Sequence, residues 1–126
     1  MRLNGRSVLL VEDEFLILLE LQQVLEDQGA QVSTAGTVRE GMDVAGALSG
    51  IDAAVLDVDL PDGKVYALAE TLQARGVPIV FHSGQARAED LAARFPEALA
   101  LSKPAAEARM IEAVAEAAGR EEGAGR

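Results

Sequence analysis

The sequence predicts a doubly wound α/β domain: a five-stranded parallel sheet with helices on both faces. Three observations carry that prediction. Short apolar runs rich in β-branched residues alternate strictly with stretches of helical periodicity, five times over. Glycine or proline closes most of the helical stretches, as at Gly29, Gly50, Gly76 and Pro96. The first strand reads as a continuous apolar run and not as an alternating one, the mark of a strand covered on both faces.

Ser7 to Val11 opens the chain and ends abruptly in Glu12-Asp13-Glu14. Phe15 to Gln28 follows as a helix that Gly29 stops, and Gln31 to Ala35 as a second strand. Thr37 is placed to cap the next helix, with Glu40 three residues on completing a capping box; that helix runs to about Leu48. Asp52 to Leu56 is the third strand, and Asp57-Val58-Asp59-Leu60-Pro61-Asp62-Gly63 reads as a loop. Lys64 to Arg75 is helical, Val77 to Phe81 is the fourth strand, and Arg87 to Phe95 is a short helix. Ala98 to Leu101 is the least β-prone of the strands. Ala105 to Ala118 is the last helix, so residues 1–118 form one domain and 119–126 a flexible tail.

Composition narrows the function. The 126 residues suit one domain, and 49% apolar content suffices for one core. The longest apolar run, Phe15 to Leu19, is far too short to cross a membrane, and no signal peptide is visible. Cysteine is absent, which removes disulfides, thiolate metal sites and cysteine nucleophiles and fits a cytoplasmic protein. A net charge of −10 argues against direct nucleic-acid binding, which needs a basic surface.

In open parallel sheets, ligands bind beyond the carboxyl ends of the strands. The residues expected at that rim are Glu12 and Asp13, Asp57 and Asp59, Ser83, and Lys103. Carboxylates gathered at one point repel one another unless a cation neutralises them. All-oxygen ligands without imidazole or thiolate favour Mg²⁺ over zinc or copper and leave positions open for phosphate oxygens. Lys103 supplies a fixed positive charge and Ser83 a hydroxyl, both suited to a phosphoryl group. With no cysteine and no evident serine–histidine–carboxylate relay, the best nucleophile is a carboxylate. Glu14 reads as a helix-start charge, Asp62 as turn chemistry, and His82 as a rim or half-buried histidine outside the metal site.

Val11-Glu12-Asp13-Glu14, Leu56-Asp57-Val58-Asp59-Leu60-Pro61, Phe81-His82-Ser83-Gly84 and Ser102-Lys103-Pro104 each sit at the end of an expected strand. Together they resemble the receiver domains of two-component response regulators, over roughly Ser7 to Ala118, and of the stand-alone type. The resemblance implies a flavodoxin-like (βα)5 three-layer sandwich with strand order 2-1-3-4-5. It implies that Asp57 is the phosphoacceptor and that Asp13 and Asp57 ligate Mg²⁺. Glu12 would act through a bound water, and the Asp59 backbone carbonyl would complete the ligands. Ser83 and Lys103 would contact the phosphoryl group, and the Lys103–Pro104 bond would be cis. The implied partners are a sensor histidine kinase or histidine phosphotransfer protein, docking through the first helix, and a downstream protein target. The chain would be a monomer or a weak phosphorylation-dependent dimer.

Two departures stand out. Ala100 occupies the place where receivers usually carry a switch aromatic, and Val65 stands where many have a glycine. Two other readings compete. One is a receiver-like scaffold that binds partners without phosphorylation. The other is a phosphatase, since Asp57-Val58-Asp59 superficially resembles the nucleophile motif of haloacid-dehalogenase-type enzymes.

Overall fold

The computed structural model of the protein describes residues 1–84 and 87–124. Its main sheet takes strands β1 (Ser7–Val11), β2 (Gln31–Ala35), β3 (Ala53–Leu56), β6 (Ile79–Ser83) and β7 (Leu99–Ser102) in the order β2-β1-β3-β6-β7, every pair parallel. Counting only these strands, that is the expected order 2-1-3-4-5. A small antiparallel hairpin, β4 (Asp59–Leu60) and β5 (Gly63–Lys64), stands apart from the sheet. The helices are α1 (Phe15–Asp27), α2 (Val38–Ala47), α3 (Tyr66–Ala74), α4 (Ala88–Arg94) and α5 (Glu107–Ala124).

Side chains alternate across each strand, so the central strands feed two cores. Leu9, Val11, Ala54, Leu56, Ile79 and Phe81 pack with Ala45 of α2, Leu68 and Leu72 of α3, and Leu91 of α4. Val8, Leu10, Ala53, Val55 and Val80 pack on the opposite face with Leu21 and Leu25 of α1 and Met110, Ala113 and Val114 of α5. Two cores on one sheet make the three layers. Burial on both faces is why β1 and β3 read as unbroken apolar runs.

Two glycines are demanded by geometry. Gly29 ends α1 with φ +94°, and a Cβ there would fall 2.8 Å from the Asn4 Cα. Gly41 lets α2 approach α3, since a Cβ would fall 2.6 Å from the buried Leu68 Cδ2.

Several expected boundaries shift. The fourth main strand runs from Ile79 to Ser83, two residues later than expected, so His82 and Ser83 belong to the strand and not to the loop after it. The segment after Asp57 is not plain loop but the β4–β5 hairpin, and α3 starts at Tyr66 once the chain has left it. The capping box is half formed: Thr37 Oγ1 accepts from the Glu40 N–H at 3.0 Å, but the Glu40 carboxylate accepts from the Thr37 hydroxyl at 3.3 Å instead of reaching back to the backbone. Helix α5 continues past Ala118 to Ala124, through Arg120, Glu121 and Glu122, which are good helix formers. Gly125 and Arg126, the end of the expected tail, lie outside the described residues.

Candidate functional site

Strand register builds the site. Val11 pairs with Leu56, so Glu12 and Asp57, each one residue further on, emerge side by side. The Asp57 N–H donates to the Val11 carbonyl at 2.9 Å and the Glu12 N–H to the Ala35 carbonyl at 3.0 Å, which extends the ladder to the rim. Leu56 pairs with Phe81 and Ser83 with Ser102. The Lys103 N–H then donates to the Ser83 carbonyl at 2.8 Å, and the Lys103–Pro104 bond is cis.

The side chains of Lys103, Asp57 and Glu12 meet. The amine of Lys103 donates to Asp57 Oδ2 at 3.1 Å and lies 2.9 Å from Glu12 Oε1 as an ion pair. That Glu12 oxygen is fully buried, and among the described residues no directed hydrogen bond supplements its ion pair with Lys103. The other Glu12 oxygen accepts from the Glu14 N–H at 3.1 Å. Burial pushes the Glu12 carboxyl up to about 7; the Lys103 ammonium and the Glu14 N–H hold it down, and the charge of Asp57 adds to the rise. Burial also pulls Lys103 down, but its contacts with Glu12 and Asp57 outweigh this and leave the amine above the ordinary lysine value.

Asp13 is exposed, Asp57 and Glu12 are buried, and one carboxylate oxygen from each lies within 4.8 Å of the others. A divalent cation fits this set. The donors are hard oxygens, and the charge of the three carboxylates is only partly offset by Lys103. The Asp59 carboxylate faces elsewhere, to Lys64 of the hairpin and to the Arg87 guanidinium at 2.9 Å. The Lys64 contact, then burial acting the other way, then Arg87, leave that carboxyl below its ordinary value. Ser83 is buried at the rim, and among the described residues its hydroxyl makes a long 3.5 Å contact to the Gly84 carbonyl.

Sequence reasoning missed or misjudged three residues here. Asp62 is more than turn chemistry: its carboxylate accepts from the Val38 N–H at 2.8 Å and the Arg39 N–H at 3.0 Å, capping α2 from 24 and 23 residues away. Only the coming together of the hairpin and α2 reveals that role, and no local motif announces it. Arg87 was read as a helix start alone, but it ties α4 to the hairpin through Asp59. His82 is not at the rim; it is 4% exposed, with Nε2 accepting from the Ala105 N–H at 3.4 Å. Ala100 is exposed on the edge strand β7, opposite Phe81. Phe81 itself belongs to an aromatic cluster, with ring centroids 5.1 Å from Phe95, which in turn lies 5.9 Å from Tyr66.

Comparison with known proteins agrees with this architecture. The sequence model of the response regulator receiver domain matches residues 8–115. The cell cycle response regulator CtrA of Brucella abortus (strain 2308) is 36% identical over 85 residues, covering 66% of this chain but only 36% of that protein. The chain thus spans about a third of the length of such relatives. A response regulator receiver protein from Sinorhizobium medicae WSM419 superposes with a TM-score of 0.85 at 26% identity, covering 92% of this chain and 96% of the other. The receiver domain of a sensor histidine kinase from Pseudomonas aeruginosa PAO1, solved with a magnesium ion in its active site cleft, superposes at 0.78 with 23% identity, covering 91% and 98%. With the family model matched over residues 8–115, most of its length, this chain belongs to the response regulator receiver domains.

Proposed function

We propose that the protein is a phosphoacceptor module that takes a phosphoryl group on Asp57 from a histidine kinase or histidine phosphotransfer protein. The observation that carries this is Lys103, whose amine bridges Asp57 and Glu12 beside the exposed carboxylate of Asp13. A free Asp57 oxygen attacks the phosphorus of a phosphohistidine in line; the new O–P bond forms as the P–N bond breaks, and the imidazole leaves. Lys103 remains charged and pairs with a phosphoryl oxygen, while the Ser83 hydroxyl donates to another. Mg²⁺, held by Asp13, Asp57 and the Asp59 backbone carbonyl, with Glu12 acting through water, would neutralise the phosphoryl charge.

The module unit is residues 1–118, and its output is protein binding. Helix α1 is the docking face for the phosphodonor, because Phe15, Leu16 and Leu19 are 66%, 79% and 44% exposed on it. No helix among the described residues is long and apolar enough to cross a membrane; a cytoplasmic phosphorelay is the setting we assign. The phosphatase reading is disfavoured because the Asp59 carboxylate, its would-be acid, is occupied by Lys64 and Arg87. The scaffold reading draws on Ala100 alone.

The test is incubation with acetyl phosphate and Mg²⁺, followed by intact mass and alkaline treatment. A base-labile adduct in wild type, absent from Asp57→Asn, is expected. Rapid turnover of phosphomonoesters would favour the phosphatase, and no adduct with partner binding intact would favour the scaffold.

A further inference from the structure

His82 is a buried titratable group that the proposed phosphoryl chemistry does not use. It lies in β6, one residue before Ser83, and is the only histidine in the chain. Alternation along the strand sends its ring to the α1–α5 face, opposite Phe81. There its Nε2 accepts from the N–H of Ala105, two residues beyond Lys103. Pro104, between them, has no N–H to offer.

The turn that carries Lys103 is therefore fastened at two points. On the near side the Lys103 N–H donates to the Ser83 carbonyl at 2.8 Å; on the far side the Ala105 N–H makes a longer, weaker contact to His82 Nε2 at 3.4 Å. Adjacent residues of one strand make both ties. Beside the turn lies a pocket of about 120 Å³, lined by Ile17, Glu20 and Leu21 of α1 together with His82, Lys103, Pro104 and Ala105. A turn released on its far side has that space to move into, and the Lys103 amine would move with it.

We propose that His82 is a positioning residue for Lys103, its imidazole nitrogen fixing the turn that aims the amine at Asp57. The inference rests on the phosphoacceptor reading of that site. The ring's chemistry agrees with it. Burial, and secondarily the charge of Lys103, lower the His82 pKa against the opposing pull of Asp57, so the ring is neutral at neutral pH with its Nε2 lone pair free to accept. The proton then sits on Nδ1, which is buried and has no hydrogen-bond partner among the described residues. A leucine would fill this place without the orphaned nitrogen, so packing alone does not explain an imidazole here.

That orphan makes the test discriminating. In His82→Leu the unpartnered Nδ1–H disappears while the half-buried Ala105 N–H loses its acceptor to solvent, so the melting temperature should stay near that of wild type. The rate of phosphorylation by acetyl phosphate at saturating Mg²⁺ should nonetheless fall about fivefold to tenfold, the worth of one hydrogen bond to the positioning of a charge. Glu12, Asp13 and Asp57 follow other strands and keep their places, so saturating Mg²⁺ still fills the site and the rate reports on the lysine. His82→Gln, whose amide oxygen can accept from the same N–H, should recover most of the rate. Nitrogen-15 NMR should show the Nδ1–H tautomer in wild type, and a Lys103 amine resonance that moves in His82→Leu and returns in His82→Gln. Wild-type rates in His82→Leu, no recovery in His82→Gln, or the opposite tautomer would overturn the proposal. The NMR readings need no phosphorylation, so they decide the role of His82 even if wild type takes no phosphoryl group and the reading of Asp57 itself fails.

Discussion

Lys103 stands between two carboxylates that burial alone would drive toward neutrality. Glu12, 2% exposed, keeps a pKa of about 7 even with the ammonium 2.9 Å away. Ion pairs of this kind add little net stability, since desolvation offsets attraction, but they fix where the charges sit. At this scale pH dependence has two opposing sources. The His82 pKa is lowered, so as pH falls through about 6.5 the unfolded chain takes up a proton that the folded chain refuses, and stability drops. Glu12 acts in reverse: its folded pKa exceeds 4.5, so the folded form gains the proton first, and stability rises as pH falls from about 7. Comparing variants separates them. Urea midpoints of His82→Leu should gain on wild type progressively as pH is lowered from about 7 to 5.5, and parallel curves would contradict buried neutrality of the ring. The rim residues Glu12, Asp13, Asp57, Ser83 and Lys103 were legible because each follows or ends a strand, and strand ends can be read from apolar runs. The depth of His82 was not: a polar pair after Phe81 reads as loop, and only pairing with Leu101 and Ser102 shows that the ladder continues through both residues.

Elements are governed by their ends. Helix α1 has no side-chain cap at Glu14 and depends on Gly29 to stop and turn the chain back into β2. Gly29→Ala should destabilise the protein by about 1–2 kcal/mol through the left-handed backbone alone, and by more once Asn4, 2.8 Å from the new Cβ, has to move; chemical denaturation measures it. Helix α2 starts differently. Thr37 accepts from Glu40, while Asp62 accepts from Val38 and Arg39, so side chains satisfy three N–H groups of its first turn. Thr37 and Glu40 were readable as a local pattern, whereas Asp62 was not, because caps delivered from a distant hairpin leave no periodic signature. The hairpin was hidden for the same reason: two-residue strands are set by Lys64 and Asp59 meeting across it, and propensity does not foresee them. Helix α5 runs on to Ala124, past Ala118, where the helix was expected to give way to a flexible tail.

For the whole molecule, the sheet works as a frame that brings four strand ends to one place, where the carboxylates of Glu12, Asp13 and Asp57 could hold a divalent cation. A ligand bound only by the folded state stabilises by mass action: at a hundredfold excess over Kd about 2.7 kcal/mol, a rise in Tm on the order of 10 °C for a domain of this size. Thermal unfolding with and without Mg²⁺ should show that rise in wild type and lose most of it in Asp13→Asn, an exposed position where the fold itself is unaffected. Docking belongs to this scale too. Leu16→Gln on the exposed face of α1 should slow phosphotransfer from the kinase and leave acetyl phosphate labelling unchanged; equal loss with both donors would indicate misfolding instead.

The segment after Asp57 is moored on two sides, through Asp62 to the start of α2 and through Asp59 to Arg87 beside α4. Its length and sequence are thereby matched to helices that lie far from it along the chain. A loop transplanted from another receiver would arrive without its moorings and leave two helix starts undone, so grafting would have to carry residues 37–40 and 87 along with it.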